Sequence, residues 1–120
     1  MGCGKSPMSV IVVGDVTGQS REPTDCLLDQ SSTMRTCSTE ATSAQLRTNA
    51  AIAANAGTNG VGFMDTRGWF CAIPRGSRRP LCPLVVNQTI TAVDRGHISK
   101  TYALELLQPF RTAFRAALFS

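Results

Sequence analysis

Ser9-Val10-Ile11-Val12-Val13-Gly14-Asp15 and Val61-Gly62-Phe63-Met64-Asp65 are the two stretches that decide the architecture. Each is a short apolar run that closes on an aspartate. Apolar residues in succession, without alternation, predict a strand buried on both faces, as in a parallel sheet covered by helices. An acidic residue just past such a strand lies where open α/β sheets place their sites. Between the two runs, the alanine-rich segment Ala41 to Ala56 favours a helix. Leu46, Ala50, Ile52, Ala53 and Ala54 offer it a shallow apolar face. Ser38-Thr39-Glu40 supplies cap candidates at its start, and Gly57 a stop at its end. The order strand, helix, strand, helix predicts an α/β fold: a parallel sheet with flanking helices.

The remaining segments fit around that frame. Residues 17–37 are rich in Thr, Ser, Asp and Pro and predict a loop. Leu84 to Val93 alternates weakly, which predicts a short strand or hairpin. Ser99 is placed to cap a last helix, in which Tyr102, Leu106, Phe110, Phe114 and Leu118 recur every fourth residue as a core-facing stripe. Pro109 falls inside this pattern and should kink or split the helix. Two or three strands make too thin a sheet to cover both faces. Residues 9–120 are therefore expected to form a single partial domain, preceded by a disordered extension over residues 1–8.

The 120 residues suffice for one domain. No apolar run approaches the roughly 20 residues of a membrane span. The net charge is +4, but the basic residues are scattered apart from Arg75, Arg78 and Arg79. These three sit among Pro74, Gly76, Ser77 and Pro80, a solvated loop composition without the aromatic-lined stripe of a nucleic-acid binder. No cofactor motif is present. Five cysteines without short spacings, and a single histidine, argue against a metal site. Cys26 with Cys37 and Cys71 with Cys82 could each close a short polar loop, which would place the chain in an oxidising compartment. Five cysteines allow other pairings, and five reduced thiols remain the alternative.

The N-terminus carries no secretory signal pattern. Met1-Gly2-Cys3-Gly4-Lys5-Ser6 matches a myristoylation pattern, with Cys3 as a second acylation position. Gly4-Lys5-Ser6 lacks the preceding strand and glycine that a phosphate-binding loop needs.

Asp94-Arg95-Gly96-His97 holds the chemistry. A serine nucleophile needs a base, and the base needs a carboxylate to hold its tautomer. Asp-x-x-His can set the two side chains together on one turn, although the spacing alone fits an exposed loop histidine better. Three segments surround the motif in order: Phe63-Met64-Asp65-Thr66-Arg67-Gly68-Trp69-Phe70-Cys71, Leu81-Cys82-Pro83-Leu84-Val85-Val86-Asn87-Gln88-Thr89, and Asp94 through Ala103. Together they resemble the C-terminal end of SGNH-type hydrolase domains, in particular those fused behind actinobacterial acyltransferase-3 membrane proteins. Val10 to Asp15 and Pro23-Thr24-Asp25-Cys26-Leu27, with Cys37, resemble that family's middle region. The resemblance spans roughly residues 9–118.

The resemblance implies a flavodoxin-like parallel sheet whose N-terminal strands are missing. It implies His97 as general base and then acid, oriented by Asp94, in acyl transfer to or from a cell-envelope carbohydrate hydroxyl. The implied partners are a membrane acyltransferase-3 domain or the missing N-terminal half, and the implied location is the extracytoplasmic face of the membrane. Ala92 and Val93 replace a tyrosine and an arginine usual in the family, and Ile98-Ser99 replaces Leu-Thr. The family's Gly-Asp-Ser nucleophile block is absent: Gly14-Asp15-Val16 has valine in the serine position, and Ser20 is an unsupported substitute. The expectation is a domain inactive alone. The alternatives are a non-catalytic binding module on the same scaffold, or a small protein anchored by lipid on Gly2 and Cys3.

Overall fold

The two apolar runs pair. In the computed structural model, which describes residues 10–119, β1 (Ile11–Val13) and β3 (Gly62–Met64) form a parallel ladder with Ile11 opposite Gly62 and Val13 opposite Met64. The extension over residues 1–8, with Gly2, Cys3 and Gly4-Lys5-Ser6, lies outside the described residues. The crossover between the strands runs through α1 (Pro23–Leu28), β2 (Ser38–Glu40) and α2 (Ser43–Thr58). After β3 come α3 (Arg67–Phe70), β4 (Leu81–Pro83), β5 (Val85–Val86), β6 (Thr89–Ile90), α4 (Lys100–Glu105) and α5 (Leu107–Leu118). The chain is a mixed α/β structure whose small parallel sheet packs against helices; no sheet closes on itself among the described residues.

Alternation along β1 and β3 assigns their faces. Gly62 lies so close to α5 that a Cβ there would stand 2.5 Å from the Ala117 carbonyl oxygen, so only glycine permits this contact. Gly14, two residues on from Val12 and on the same face, approaches Asn49 of α2 instead. The sheet is thus held between α2 and α5. It is two strands wide, and β1 is less buried than its apolar run predicts. Ile11 and Val12 are half-buried, and Val13 is 49% exposed, rather than buried on both faces. Two strands cannot fill the layer between the helices, and among the described residues no strand pairs with the far edge of β1.

The same narrowness corrects the aromatic stripe. Tyr102 is buried, but Phe110 and Phe114 are 42% and 40% exposed; they stack on each other with centroids 6.1 Å apart. Pro109 splits the helix as expected. Its ring cannot tolerate the carbonyl four residues back, which is Glu105, the last residue of α4. In α5 it occupies the first turn, where its missing N–H is not needed.

The start of α2 also differs from expectation. Ser38–Glu40 is a strand, antiparallel to β4 with Thr39 opposite Cys82. The cap is Thr42, four residues into what composition alone assigned to helix and its caps. Its Oγ1 accepts from the Gln45 N–H at 3.1 Å, while its own N–H donates to Gln45 Oε1 at 2.8 Å, a reciprocal capping box. The helix runs past Gly57 to Thr58, with Asn59 as its C-cap. Its inward face carries Asn49 and Ala56, with Leu46, Ile52 and Ala53 half-buried, whereas Ala50 and Ala54 are exposed.

Both cysteine pairs are disulfides. Cys26–Cys37 ties α1 to the residue before β2, with Cα atoms 5.9 Å apart. Cys71–Cys82 ties the end of α3 to β4, with Cα atoms 4.0 Å apart. Cys26, Leu84 and Ala92 form a small buried cluster with Cys37 packed against it. β5 and β6 form the expected hairpin. Asn87 and Gln88 both have positive φ, 50° and 64°, as a tight two-residue turn of this twist requires.

Candidate functional site

The hairpin delivers the chain to the Asp94–His97 turn. Two backbone hydrogen bonds fix that turn between β6 and α4. The Val93 N–H donates to the His97 carbonyl at 3.0 Å and the Ser99 N–H to the Thr91 carbonyl at 2.8 Å, which together pair Ala92 with Ile98 as an antiparallel bridge. Ser99 then acts in two directions. Its hydroxyl donates to the Ile90 carbonyl at 2.5 Å and accepts from the Tyr102 N–H at 3.1 Å, capping α4 as its sequence position predicts. Ala92 is buried in the cluster of Cys26 and Leu84, while Val93 is exposed.

On this frame His97 Nδ1 lies 2.9 Å from both carboxylate oxygens of Asp94. The Gly96 N–H donates to Asp94 Oδ1 at 2.8 Å. That backbone hydrogen bond first, and then the imidazole, hold the Asp94 carboxyl below its ordinary range. An ionised carboxylate can only accept, so Nδ1 carries the proton and Nε2 of the neutral ring is left with its lone pair. The pair is open to water: the His97 side chain is 79% exposed. No hydroxyl among the described residues hydrogen-bonds its Nε2.

A cleft of about 210 Å³ adjoins the turn. Phe70, Ile98 and Val16 give it an apolar wall, Thr91 and Ala92 lie at its base, and His97 and Arg95 flank it. Phe70 is held by an edge-on contact with the Tyr102 ring, centroids 5.5 Å apart, and the Tyr102 hydroxyl donates to the Trp69 carbonyl. The loop after β1, which contributes Val16 to this wall, continues along the cleft through Thr17, Gly18 and Gln19. The Gln19 N–H donates to the Arg95 carbonyl at 2.8 Å, and a Cβ on Gly18 would stand 2.7 Å from that oxygen. The cleft thus opens at the C-terminal end of the parallel strands, where α/β sheets place sites.

The strand-end aspartates do not join it. The Asp15 backbone is gripped by Asn49, whose Oδ1 accepts from the Asp15 N–H at 2.8 Å and whose Nδ2 donates to the Asp15 carbonyl at 3.1 Å. Asp65 pairs with Arg67 at 2.9 Å. Ser20 is turned away, its hydroxyl 3.3 Å from Thr39 Oγ1. Asn49 was overlooked in the sequence; a lone amide side chain on the inward side of an alanine-rich helix is the signal that could have found it. Arg75, Arg78 and Arg79 are exposed, and Arg79 pairs with Glu40 at 3.5 Å. Among the described residues, no three His, Cys, Asp or Glu side chains converge as a metal site requires, and no helix is long and apolar enough to cross a membrane.

Comparison of the chain with protein-family models, with curated proteins and with solved structures finds no match.

Proposed function

We propose that these residues form the C-terminal half of an SGNH-type acyl-transfer domain, with Asp94 and His97 as two members of a Ser–His–Asp apparatus. The observation that carries the reading is the clasp of His97 Nδ1 by the Asp94 carboxylate at 2.9 Å, which leaves Nε2 free beside an apolar cleft. That arrangement fixes the tautomer a general base needs. Nε2 takes the proton of a serine hydroxyl as its oxygen bonds to the acyl carbon of an ester. The proton then passes to the leaving alkoxide as the ester C–O bond breaks. In the second half, an acceptor hydroxyl gives its proton to Nε2, attacks the acyl-serine, and the serine oxygen recovers the proton. The acceptor class is a carbohydrate hydroxyl of the cell envelope, on the strength of the sequence resemblance.

The serine is not among these 120 residues in a Gly-Asp-Ser block. The far edge of β1, unpaired among the described residues, supports its arrival on further strands of the same sheet. Without that serine and its backbone oxyanion donors, the dyad contributes little rate. The test is ester hydrolysis with p-nitrophenyl acetate. The chain alone should act no faster than its His97→Ala variant, and addition of a polypeptide bearing the Gly-Asp-Ser segment should bring activity that depends on His97. Saturable turnover by the chain alone, lost in His97→Ala, contradicts the proposal.

A further inference from the structure

Arg95 sits between the two members of the dyad in sequence, yet neither the dyad nor the fold uses its charge. Its backbone carbonyl accepts the Gln19 N–H at 2.8 Å, and its Nε donates to the Gln19 carbonyl at 3.4 Å. The two bonds join the loop after β1 to the Asp94–His97 turn and fix the base of the guanidinium at the cleft. The terminal amino groups of the guanidinium have no hydrogen-bond or ion-pair partner among the described residues. Arg21, Arg67 and Arg79 each pair with a carboxylate, whereas Arg35, Arg47, Arg75, Arg78, Arg111 and Arg115 share with Arg95 the lack of an ion pair among the described residues; what sets Arg95 apart is its place on the cleft. The nearest carboxylate in sequence, Asp94, is committed to Gly96 and His97. Apart from Arg95 and His97, every side chain lining the cleft is apolar or neutral.

We propose that Arg95 is a specificity-determining residue that receives a carboxylate on the substrate, so that the cleft takes esters whose acyl or alcohol part is itself anionic. This rests on the reading of the cleft as the substrate site. A guanidinium presents paired N–H donors that match a carboxylate in two parallel hydrogen bonds. Its anchored Nε reduces the freedom lost when that pair forms. The remaining lining accommodates the apolar body of the ligand, with its ester directed to His97.

The probes are monomethyl succinate, which is anionic, and dimethyl succinate, which is its neutral counterpart. Binding to the full chain is followed by NMR at the Arg95 Nε–H and His97 ring signals, without need of turnover. Monomethyl succinate should bind more tightly than dimethyl succinate, and Arg95→Gln should weaken it roughly three- to tenfold while leaving dimethyl succinate unchanged. Arg95→Lys should fall between, because it keeps the charge and loses the paired geometry. Retained protection of the Gln19 N–H, which bonds only the Arg95 backbone, shows that the variants keep the turn. Equal binding of the two probes, unchanged affinity in Arg95→Gln, or no binding of monomethyl succinate overturns the proposal. So does tighter binding of inorganic phosphate at the same signals, which would make phosphate the anion. Because binding is read without catalysis, these results are independent of whether a Gly-Asp-Ser partner restores activity.

Discussion

Replacing both Cys71 and Cys82 by alanine should lower the stability of the oxidised protein by about 3–4 kcal/mol. The larger part comes from the unfolded chain. The bridge spans a sequence separation of 11, and closing a loop of about a dozen residues removes conformational entropy worth about 3 kcal/mol at 25 °C. The smaller part comes from the folded state. Cys82 is 1% exposed within β4, and losing its packed sulfur adds roughly 0.5–1 kcal/mol. For a chain of this size, the melting temperature should fall by roughly 10–20 °C. Thermal unfolding followed by circular dichroism under non-reducing conditions measures it. Cys71→Ala alone, which keeps the Cys82 side chain, should account for most of the drop. Phe70 precedes Cys71 and walls the cleft, so the His97 ring signals should broaden or move in the same variants. A shift smaller than about 3 °C in the double variant refutes the reasoning. It would mean that the bridge constrains nothing the folded chain does not already constrain.

Asp94→Asn should mix the two neutral tautomers of His97. Nitrogen-15 NMR of the ring should report a single Nδ1–H form in the parent and both forms in the variant, and the same mixture in both proteins would contradict the clasp. Asp94 itself should titrate below the ordinary carboxylate value of about 3.9. Because its folded pKa is depressed, its contribution to the turn is complete above that value and is lost as pH falls through the lower, folded one. The side-chain carboxyl carbon shift measures the midpoint, and a midpoint at or above the ordinary value contradicts the Gly96 and His97 hydrogen bonds. Gly18→Ala places a methyl 2.7 Å from the Arg95 carbonyl oxygen. It should part the loop from the turn at a cost of roughly 1–3 kcal/mol, seen as loss of amide-exchange protection at Gln19. Thr42→Ala removes half of the capping box and should cost about 1 kcal/mol in urea unfolding; no change would mean that the first turn of α2 is held by other contacts.

Features that depend on local chemistry were legible in the sequence. The β-branched run ending at Gly14 gave a strand, Ser99 gave a helix cap, and the ring of Pro109 located the break between α4 and α5. The spacing of the cysteines also allowed the two bridges that formed. What escaped depends on partners distant in the chain. Ser38-Thr39-Glu40 has no apolar alternation and becomes a strand because β4 pairs with it, beside two disulfides. That pairing moved the cap to Thr42. The exposure of Val13, Phe110 and Phe114 reflects how few strands lie beside β1, which no residue pattern within the run records. At the site, Asp94 and His97 end one four-residue turn, so spacing allowed their contact. The docking of Gly18 and Gln19 onto Arg95 spans 76 positions and, apart from the Arg95 Nε, rests on backbone atoms that carry no sequence signature.

The most direct test of the account is to read the transcript upstream of the codon for Met1. The account predicts codons for a Gly-Asp-Ser block following a β-branched apolar run, in frame or displaced by a frameshift. An independent promoter and start site with no such block would contradict the assignment of Asp94 and His97 to half of a Ser–His–Asp apparatus.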